Sequence, residues 1–224
     1  GCSGGGALRK ARCPLWLPND HPLWSPFRYL EVARYLPDRN GVIREYKSKG
    51  VQLILTTDEI EAWRERRDNY GLYTSVWQYD QPDVAQARRI ANLYFDLDDH
   101  ENEDNALPNA RTLVAYLINF VSDEAIRIYF TGQKGFHIEV ELVALGIGVV
   151  EGLADLYRYV ASTLKELLDL PSVDFHVYDV RRMWRLPNSE HQGSGFYKVP
   201  LTASELELDW PGIWDLALKP RSYV

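Results

Sequence analysis

Residues 126–143 have the sequence IRIYFTGQKGFHIEVELV, and this stretch predicts the centre of the fold. Residues 126–131 and 136–143 are rich in apolar, aromatic and β-branched side chains, which is typical of β-strands. The segment between them, residues 132–135, begins and ends with glycine and is short enough for a tight turn. The stretch therefore predicts an antiparallel β-hairpin.

Predicted elements on both sides of the hairpin extend it into a mixed fold. Residues 91–98 predict a strand that ends in acidic residues, and residues 173–180 and 196–201 predict two further strands. Pro108 suits the first turn of a helix. Residues 152–168 have the apolar spacing of an amphipathic helix. Helices packed on a mostly antiparallel sheet make the predicted fold class α+β.

The N-terminal half predicts shorter elements. Apolar residues at helical spacing favour a helix over residues 27–36, whereas residues 51–56 and 72–78 favour strands. Thr56 and Glu59 have the spacing of a capping box, which predicts that a further helix begins there.

Composition predicts one globular domain. The chain has 224 residues, of which 46% are hydrophobic and 25% charged. No run approaches the roughly 20 consecutive apolar residues that span a bilayer, so no membrane association is expected. Cys2 and Cys13 are too few for a disulfide framework or a zinc site, and a cytoplasmic location fits best. We expect residues 1–12 to form a flexible tail and residues 13–224 to form the domain.

The net charge of −7 disfavours the broad basic surface that many nucleic-acid-binding proteins carry. Two features weaken this objection. Carboxylates that hold metal ions count as negative in the sequence, although bound ions offset them. Basic residues also cluster locally, at Arg181, Arg182 and Arg185.

Asp96 and Asp98 form the first candidate site. Alternate side chains of a strand share a face, so both carboxylates are expected on one face, with Cα atoms about 6.6 Å apart. Two carboxylates at that separation repel unless a cation lies between them, and Mg²⁺ or Mn²⁺ prefers oxygen ligands. Alternatively, the acids merely end a strand in a solvated loop, since the acidic run 98–104 follows.

The turn of the hairpin forms the second candidate site. Gly132 and Gly135 allow a tight turn whose exposed backbone N–H groups can bind an anion. Thr131, Lys134 and His137 add side-chain donors. Alternatively, this is an ordinary hairpin turn, with Lys134 in solvent and His137 in a structural role.

Charged and polar residues between 173 and 201 form the third candidate site, namely Asp174, His176, Asp179, Arg181, Arg182, Arg185, Ser189, His191 and Lys198. Arg182 and Arg185 suit phosphate oxygens, because guanidinium groups match them geometrically. A third carboxylate would complete a metal site, but spacing alone does not choose between Asp174 and Asp179. Alternatively, the segment is a solvated strand edge with charge pairs such as Asp179 with Arg181.

The three candidate sites together resemble the archaeo-eukaryotic primase superfamily, which includes primase small subunits and primase-polymerases. The order is an acid pair in residues 94–98, a Gly-containing turn ending in histidine in residues 131–137, and an acid followed by an Arg-Ser-His-Gly segment in residues 173–195. This last segment contains RMWRLPNSEH at residues 182–191. The resemblance covers residues 94–201, about half the chain.

The resemblance implies an RRM-like, mostly antiparallel catalytic sheet with flanking helices and an N-terminal α/β unit. It implies two Mg²⁺ or Mn²⁺ ions held by Asp96, Asp98 and Asp174. Asp174 is preferred over Asp179 because it matches the acid of the family's Asp-x-x-Val pattern. The residues expected around the incoming nucleotide are Thr131, Gly132, Lys134, His137, Arg182, Arg185, Ser189 and His191.

The implied activity is template-dependent nucleotidyl transfer by a primase, a polymerase or both, with de novo primer synthesis as one form. The implied partners are a single-stranded DNA template, a primer, and dNTP or NTP substrates, between which the sequence does not choose. Many primase small subunits carry a Cys/His zinc module that this chain lacks, which leaves open whether a further domain or a replication partner grips the template. Two alternatives are a catalytically inactive binding module and a metal-dependent nuclease.

Overall fold

A computed structural model describes the chain over residue 23 and residues 26–48, 50–98 and 105–222. The predicted tail over residues 1–12, both cysteines and residues 99–104 of the acidic run lie outside the described residues. No helix in the described ranges combines the length and the hydropathy needed to cross a bilayer.

Short strands and a few helices make up the described chain. The strands are β1 (Tyr29–Leu36), β2 (Gly41–Arg44), β3 (Tyr46–Ser48), β4 (Val51–Gln52), β5 (Ile54–Thr56), β6 (Leu72–Ser75), β7 (Gln78–Tyr79), β8 (Arg89–Ile90), β9 (Leu93–Leu97), β10 (Ile126–Phe130), β11 (Phe136–Val140), β12 (Met183–Arg185) and β13 (Val199–Leu201). The α-helices are α1 (Ile60–Glu65), α2 (Ala106–Leu117), α3 (Leu153–Leu168) and α4 (Trp210–Leu216).

The predicted hairpin is present as β10 and β11, which pair antiparallel with Ile128 opposite Ile138. β9 pairs with β11 and β13 pairs with β10, so the sheet has the order β13-β10-β11-β9. Beyond β9, Leu97 forms a single antiparallel bridge with Val173. Along the chain, β9, α2, β10, β11, α3 and the bridge at Val173 follow the β-α-β-β-α-β order of the predicted RRM-like sheet. The bridge takes the place of the last strand of that order and lies beside β9.

This RRM-like sheet has one apolar face and one polar face. Phe95 lies opposite Ile138 in a row of buried side chains, on the face that packs against the flanking helices α2 and α3. Burial contributes about 1.5–3 kcal/mol for each such side chain. Side chains of neighbouring residues alternate, so the next row, Asp96, His137 and Tyr129, lies on the opposite face.

The N-terminal sheet has the order β12-β6-β1-β7-β8, and β2 and β5 also pair with β1. Helix α1 packs against this sheet through its apolar residues, which makes this half the predicted α/β unit. β12 comes from the C-terminal half of the chain and places Trp184 opposite Thr74 and Arg185 opposite Tyr73. It thereby carries residues of the third candidate site to a cavity between the two sheets.

The helix predicted over residues 27–36 is wrong, because residues 29–36 form strand β1. β1 is the central strand of the N-terminal sheet, and its residues 30–33 are all buried. A strand covered on both faces has no polar side. Its apolar residues therefore do not alternate, and their spacing resembles that of a helix.

The strand predicted over residues 173–180 is also wrong, apart from the bridge to β9. Asp174 Oδ1 accepts a hydrogen bond from the backbone N–H of His176 at 2.8 Å, and Asp179 Oδ1 accepts one from the backbone N–H of Arg181 at 2.8 Å. Such side-chain bonds to the local backbone compete with strand pairing, so this segment turns instead of extending.

The other predicted elements are confirmed with narrower bounds. The strands predicted over residues 51–56 and 72–78 are each divided in two, as β4 with β5 and β6 with β7. The capping box is formed, since the backbone N–H of Thr56 donates to Glu59 Oε2 at 2.7 Å. A single short turn of 3₁₀-helix then leads into α1.

Gly71 is a position where a side chain is expected to destabilise the fold. Its φ is +57°, and a Cβ atom there would lie 2.8 Å from the Tyr35 Cβ. We expect Gly71→Ala to lower the free energy of unfolding by about 2–4 kcal/mol, because left-handed strain adds to the clash. In the control Gly50→Ala, φ is +80° and no atom lies within 4 Å, so a loss of about 1–2 kcal/mol is expected. Urea unfolding measures both losses, and equal values would contradict this expectation.

Candidate active site

Three predicted metal ligands share the polar face of the RRM-like sheet. The backbone N–H of Asp98 donates to the Ser172 carbonyl at 2.9 Å, and that of Asp174 donates to the Asp96 carbonyl at 3.0 Å. These bonds flank the Leu97 bridge, so Asp174 lies directly opposite Asp96. Asp96, Asp98 and Asp174 therefore extend from the same face, as strand alternation requires.

The surroundings of Asp96 disfavour the ionised form of its carboxyl group. Burial, together with repulsion from the neighbouring Asp98 and Asp174, raises its pKa to about 7, although Lys198 and Arg182 act in the opposite direction. The ionised form is therefore unfavourable in the protein alone. A positive charge placed among these carboxylates would relieve the repulsion.

The donor chemistry fits Mg²⁺ or Mn²⁺, because hard divalent cations prefer carboxylate oxygens. Within the described residues, no group of three or more Asp, Glu, His or Cys side chains is already drawn together into a cluster that could hold an ion. The backbone thus brings the acids to one place, while the carboxylates would still have to converge.

The two glycines of the hairpin turn let it pack tightly on both sides. A Cβ atom at Gly135 would lie 2.7 Å from the Leu97 carbonyl oxygen and 3.5 Å from the Asp98 Cβ. At Gly132, where φ is +91°, it would lie 3.1 Å from the Phe196 carbonyl oxygen and 3.2 Å from the His191 Cβ. Glycine at both positions therefore brings the turn against the acids on one side and the His191 loop on the other.

His137 lies beside Asp96 and is held on three sides. Its ring stacks on Trp184 with centroids 3.7 Å apart, its Nδ1 lies 2.9 Å from Lys198 Nζ, and its Nε2 lies 3.6 Å from Asp96 Oδ1. Burial lowers the pKa of His137 well below its usual value, and the positive charges of Lys198 and Arg185 lower it further. The imidazole is therefore neutral at physiological pH.

Arg185 and His191 add donors to the same cleft as Asp96 and Asp98. Arg185 donates to the Thr131 carbonyl at 2.7 Å and to the Tyr73 hydroxyl at 2.6 Å. His191 Nδ1 accepts the backbone N–H groups of Gly193 and Ser194 at 3.0 and 3.1 Å. Burial, with Arg185, lowers the pKa of His191 to about 4, so its proton is on Nε2 and the ring is neutral.

These residues share one open cleft of about 200 Å³. It unites residues predicted from all three candidate sites, together with four to which the sequence analysis assigned no role. The predicted lining residues are Asp96, Asp98, Thr131, Lys134, His137, Arg185 and His191. The additional ones are Tyr73, Gln133, Met183 and Trp184.

Three predicted nucleotide-binding residues do not line this cleft, namely Gly132, Arg182 and Ser189, and neither does the predicted metal ligand Asp174. Ser189 is fully buried, and its hydroxyl accepts the backbone N–H of Leu72 at 2.9 Å, so it joins the third segment to the N-terminal sheet. Arg182 pairs with Asp179 at 3.0 Å and also donates to a backbone carbonyl. Asp179 is therefore engaged away from Asp96, whereas Asp174 lies beside it.

Sequence reasoning missed Tyr73 and Trp184 because only the pairing of β6 with β12 brings them to the cleft. Nothing local in the sequence indicates that pairing. Lys198 was counted in the third candidate site without a specific role, and the structure places it 2% exposed behind His137. Its position directly before the apolar strand β13 was a signal in the sequence that the lysine is buried. A buried lysine needs partners that compensate its charge, so such a position indicates a specific environment.

Comparison with known proteins gives relatives of one kind. No protein-family model matches the chain. The DNA primase small subunits PriS of two Methanococcus maripaludis strains, C7 and C5, are 26% and 25% identical over 136 residues, covering 50% of this chain. Those matches span 37% and 38% of the two relatives.

The polymerase domain of Mycobacterium tuberculosis Ligase D, solved in complex with DNA, shares the fold of this chain with a TM-score of 0.57. The two are 15% identical, and the match covers 83% of this chain and 77% of that one.

The repulsion at Asp96 predicts a pH-dependent stability. Because the folded-state pKa of about 7 exceeds the usual 3.8, stability in a chelator should fall as pH rises from about 4 to about 7. We expect Asp96→Asn to be more stable than the parent at pH 8, by on the order of 2–4 kcal/mol, and to lose that advantage at pH 4. Asp179→Asn is the control, because Asp179 is paired with Arg182 and should gain nothing. Urea unfolding at several pH values measures the difference in the free energy of unfolding between Asp96→Asn and the parent protein. A difference that does not change with pH would show that ionisation of Asp96 is not its cause.

Proposed function

We propose that the chain is a template-dependent nucleotidyltransferase of the archaeo-eukaryotic primase superfamily, acting as a DNA primase, a polymerase or both. The observation that carries this proposal is the cleft itself. It places the carboxylates of Asp96 and Asp98 within reach of the donors of Arg185, His137 and His191. Nucleotidyl transfer needs both, acids for divalent ions and donors for a triphosphate.

The carboxylates are proposed to hold two Mg²⁺ or Mn²⁺ ions through Asp96, Asp98 and Asp174. Bound ions of this kind lower the pKa of a primer 3′-hydroxyl and offset charge on a leaving pyrophosphate. The chain's own contribution is positional. Backbone pairing holds Asp174 opposite Asp96, so the three acids lie on one sheet face, although their carboxylates would still have to converge on the ions.

The donors in the cleft lining, here called the triphosphate wall, are proposed to bind the triphosphate. Arg185 is a permanent cation, while His137 and His191 are neutral rings that donate an N–H group. Neutral donors can bind phosphate oxygens without adding to the cost of burying charge. Thr131 and Lys134, on the hairpin turn, complete this wall.

The proposed nucleic-acid partners are a single-stranded DNA template and its primer. The Ligase D polymerase domain with the same fold was solved in complex with DNA, which supports this choice. Substrates are dNTP, NTP or both. A further domain or a replication partner would strengthen the grip on template, because the net charge of −7 offers few phosphate contacts.

Asp174→Ala tests the proposed metal triad. We expect it to reduce primer extension on the order of a thousandfold, because several kcal/mol of transition-state stabilisation would be lost with the ions. Asp179→Ala is the matched control and should retain activity within about threefold, since Asp179 is engaged with Arg182. The assay supplies a labelled primer-template, or template alone, with dNTP or NTP and Mg²⁺ or Mn²⁺.

The reverse pattern, with Asp179→Ala inactive and Asp174→Ala active, would show that the triad is wrongly assigned. Degradation of the labelled strand in the absence of nucleotides would instead support a nuclease. An inactive parent protein that still binds nucleotide would support a binding module.

Nucleotide affinity tests the proposed triphosphate wall. We expect Arg185→Ala and His191→Ala each to weaken dNTP or NTP binding about tenfold or more, because a hydrogen bond to a charged group contributes about 1.5–3 kcal/mol. Arg88→Ala is the control, since its exposed guanidinium pairs with Asp80 outside the cleft. Calorimetry with Ca²⁺ in place of the catalytic ion measures binding without turnover. Unchanged affinity in both cleft variants would assign these residues a structural role.

A further inference from the structure

Lys198 is a buried cation directly behind the proposed triphosphate wall. Its side chain is enclosed by aromatic rings: Nζ lies 4.7 Å from the centre of the Tyr129 ring and 5.2 Å from that of Trp184. Its hydrogen-bond partner is Nδ1 of His137, at 2.9 Å. Because Lys198 does not line the cleft, it is not placed to contact a substrate there.

The burial of this ammonium group is unfavourable by itself. Burial lowers the pKa of Lys198, while the negative charges of Glu139 and Asp96 act in the opposite direction. Removing a charge from water costs several kcal/mol unless partners compensate for it. An apolar side chain of similar length would fill the same space between two rings without that cost, so packing alone gives no reason for a lysine here.

The contact with His137 gives such a reason. In its ammonium form Lys198 has donors and no acceptor, so at a pH below its lowered pKa of about 7 Nδ1 of His137 presents a lone pair to it. In a neutral imidazole the proton then lies on the other nitrogen, Nε2. That nitrogen is on the side of Asp96, with Oδ1 at 3.6 Å. The stack on Trp184 fixes the ring plane, which leaves the lysine to select the tautomer.

We propose that Lys198 is a positioning residue that holds His137 as the Nε2–H tautomer, so that this neutral ring donates its N–H to a phosphate oxygen of the incoming nucleotide. The role of the N–H rests on the proposed function, whereas the tautomer is a property of the protein alone. The same device is present at His191, where two backbone N–H groups occupy Nδ1 instead of a lysine. Both rings of the wall thus carry their proton on Nε2.

The opposite tautomer would have a different consequence. With the proton on Nδ1, Nε2 would be an acceptor and would repel a phosphate oxygen. Replacing Lys198 with methionine removes the donor while keeping most of the side-chain volume. It should therefore release the tautomer without opening a cavity.

Nitrogen NMR of the free protein tests the tautomer directly. The chain has five histidines, so long-range ¹H–¹⁵N spectra of protein labelled in histidine are simple, and His137→Gln assigns the signals of interest. We expect the Nε2–H pattern for His137 in the parent protein and a mixture of tautomers in Lys198→Met. Lys219→Met, at an exposed site, is the control and should leave the spectrum unchanged. An Nδ1–H pattern in the parent protein would overturn the proposal without any variant.

A double-mutant cycle tests the consequence for the substrate. We expect Lys198→Met to raise the Kd for the nucleotide about tenfold and to have no further effect in the His137→Gln background, because the lysine acts through that ring. Equal effects in both backgrounds would show that Lys198 acts only through general stability. The NMR experiment tests the tautomer and the binding experiment tests the proposed function, so one can give the expected result when the other does not. A parent protein with the Nε2–H pattern but no nucleotide binding would count against the proposed function and leave the tautomer assignment in place.

Discussion

Mutual repulsion among three carboxylates on one sheet face is the constraint on which the rest of the site depends. The positions of Asp96, Asp98 and Asp174 are set by main-chain pairing, so the acids cannot move apart without breaking the sheet. Burial and repulsion together raise the pKa of Asp96 to about 7. A protein that keeps such a group buried stores free energy that a bound cation can release.

The surroundings of the acids follow from that constraint. Lys134 Nζ lies 4.0 Å from Asp98 Oδ1, whereas Lys198 acts on Asp96 from behind His137, and His137 itself is neutral. Glycine at position 135 allows the hairpin turn to approach the acidic strand closely. Asp96 and Asp98 line the same cleft as Arg185, His137 and His191, the donors proposed for phosphate.

Sequence patterns over a few neighbouring residues predicted those parts of the site whose geometry depends only on neighbouring residues. The hairpin, the shared face of Asp96 and Asp98, and the turn ending in His137 each follow from spacing within a few residues. Strand β1 was mistaken for a helix because burial on both faces removes the alternation that identifies a strand. Trp184 could not be assigned to the cleft, because its place depends on the pairing of β12 with a strand more than 100 residues away.

The third segment shows the same division between local and long-range information. Its resemblance to primases selected Asp174 over Asp179, and the structure places Asp174 beside Asp96. The same resemblance put Ser189 at the nucleotide, whereas its hydroxyl holds the backbone of Leu72. A motif preserves residue types and their order, but burial and partners depend on the sheet to which each residue is joined.

The most direct test of the central constraint is the effect of Mn²⁺ on stability at pH 8, measured by urea unfolding of the parent protein and of Asp96→Asn. Without metal, the variant is expected to be the more stable of the two. As Mn²⁺ is added, the parent should gain about 2.7 kcal/mol at a hundred times its Kd, while the variant gains much less, so that the two stabilities approach or cross. Equal stabilisation of both proteins, or none in either, would contradict the assignment of these carboxylates to a metal site.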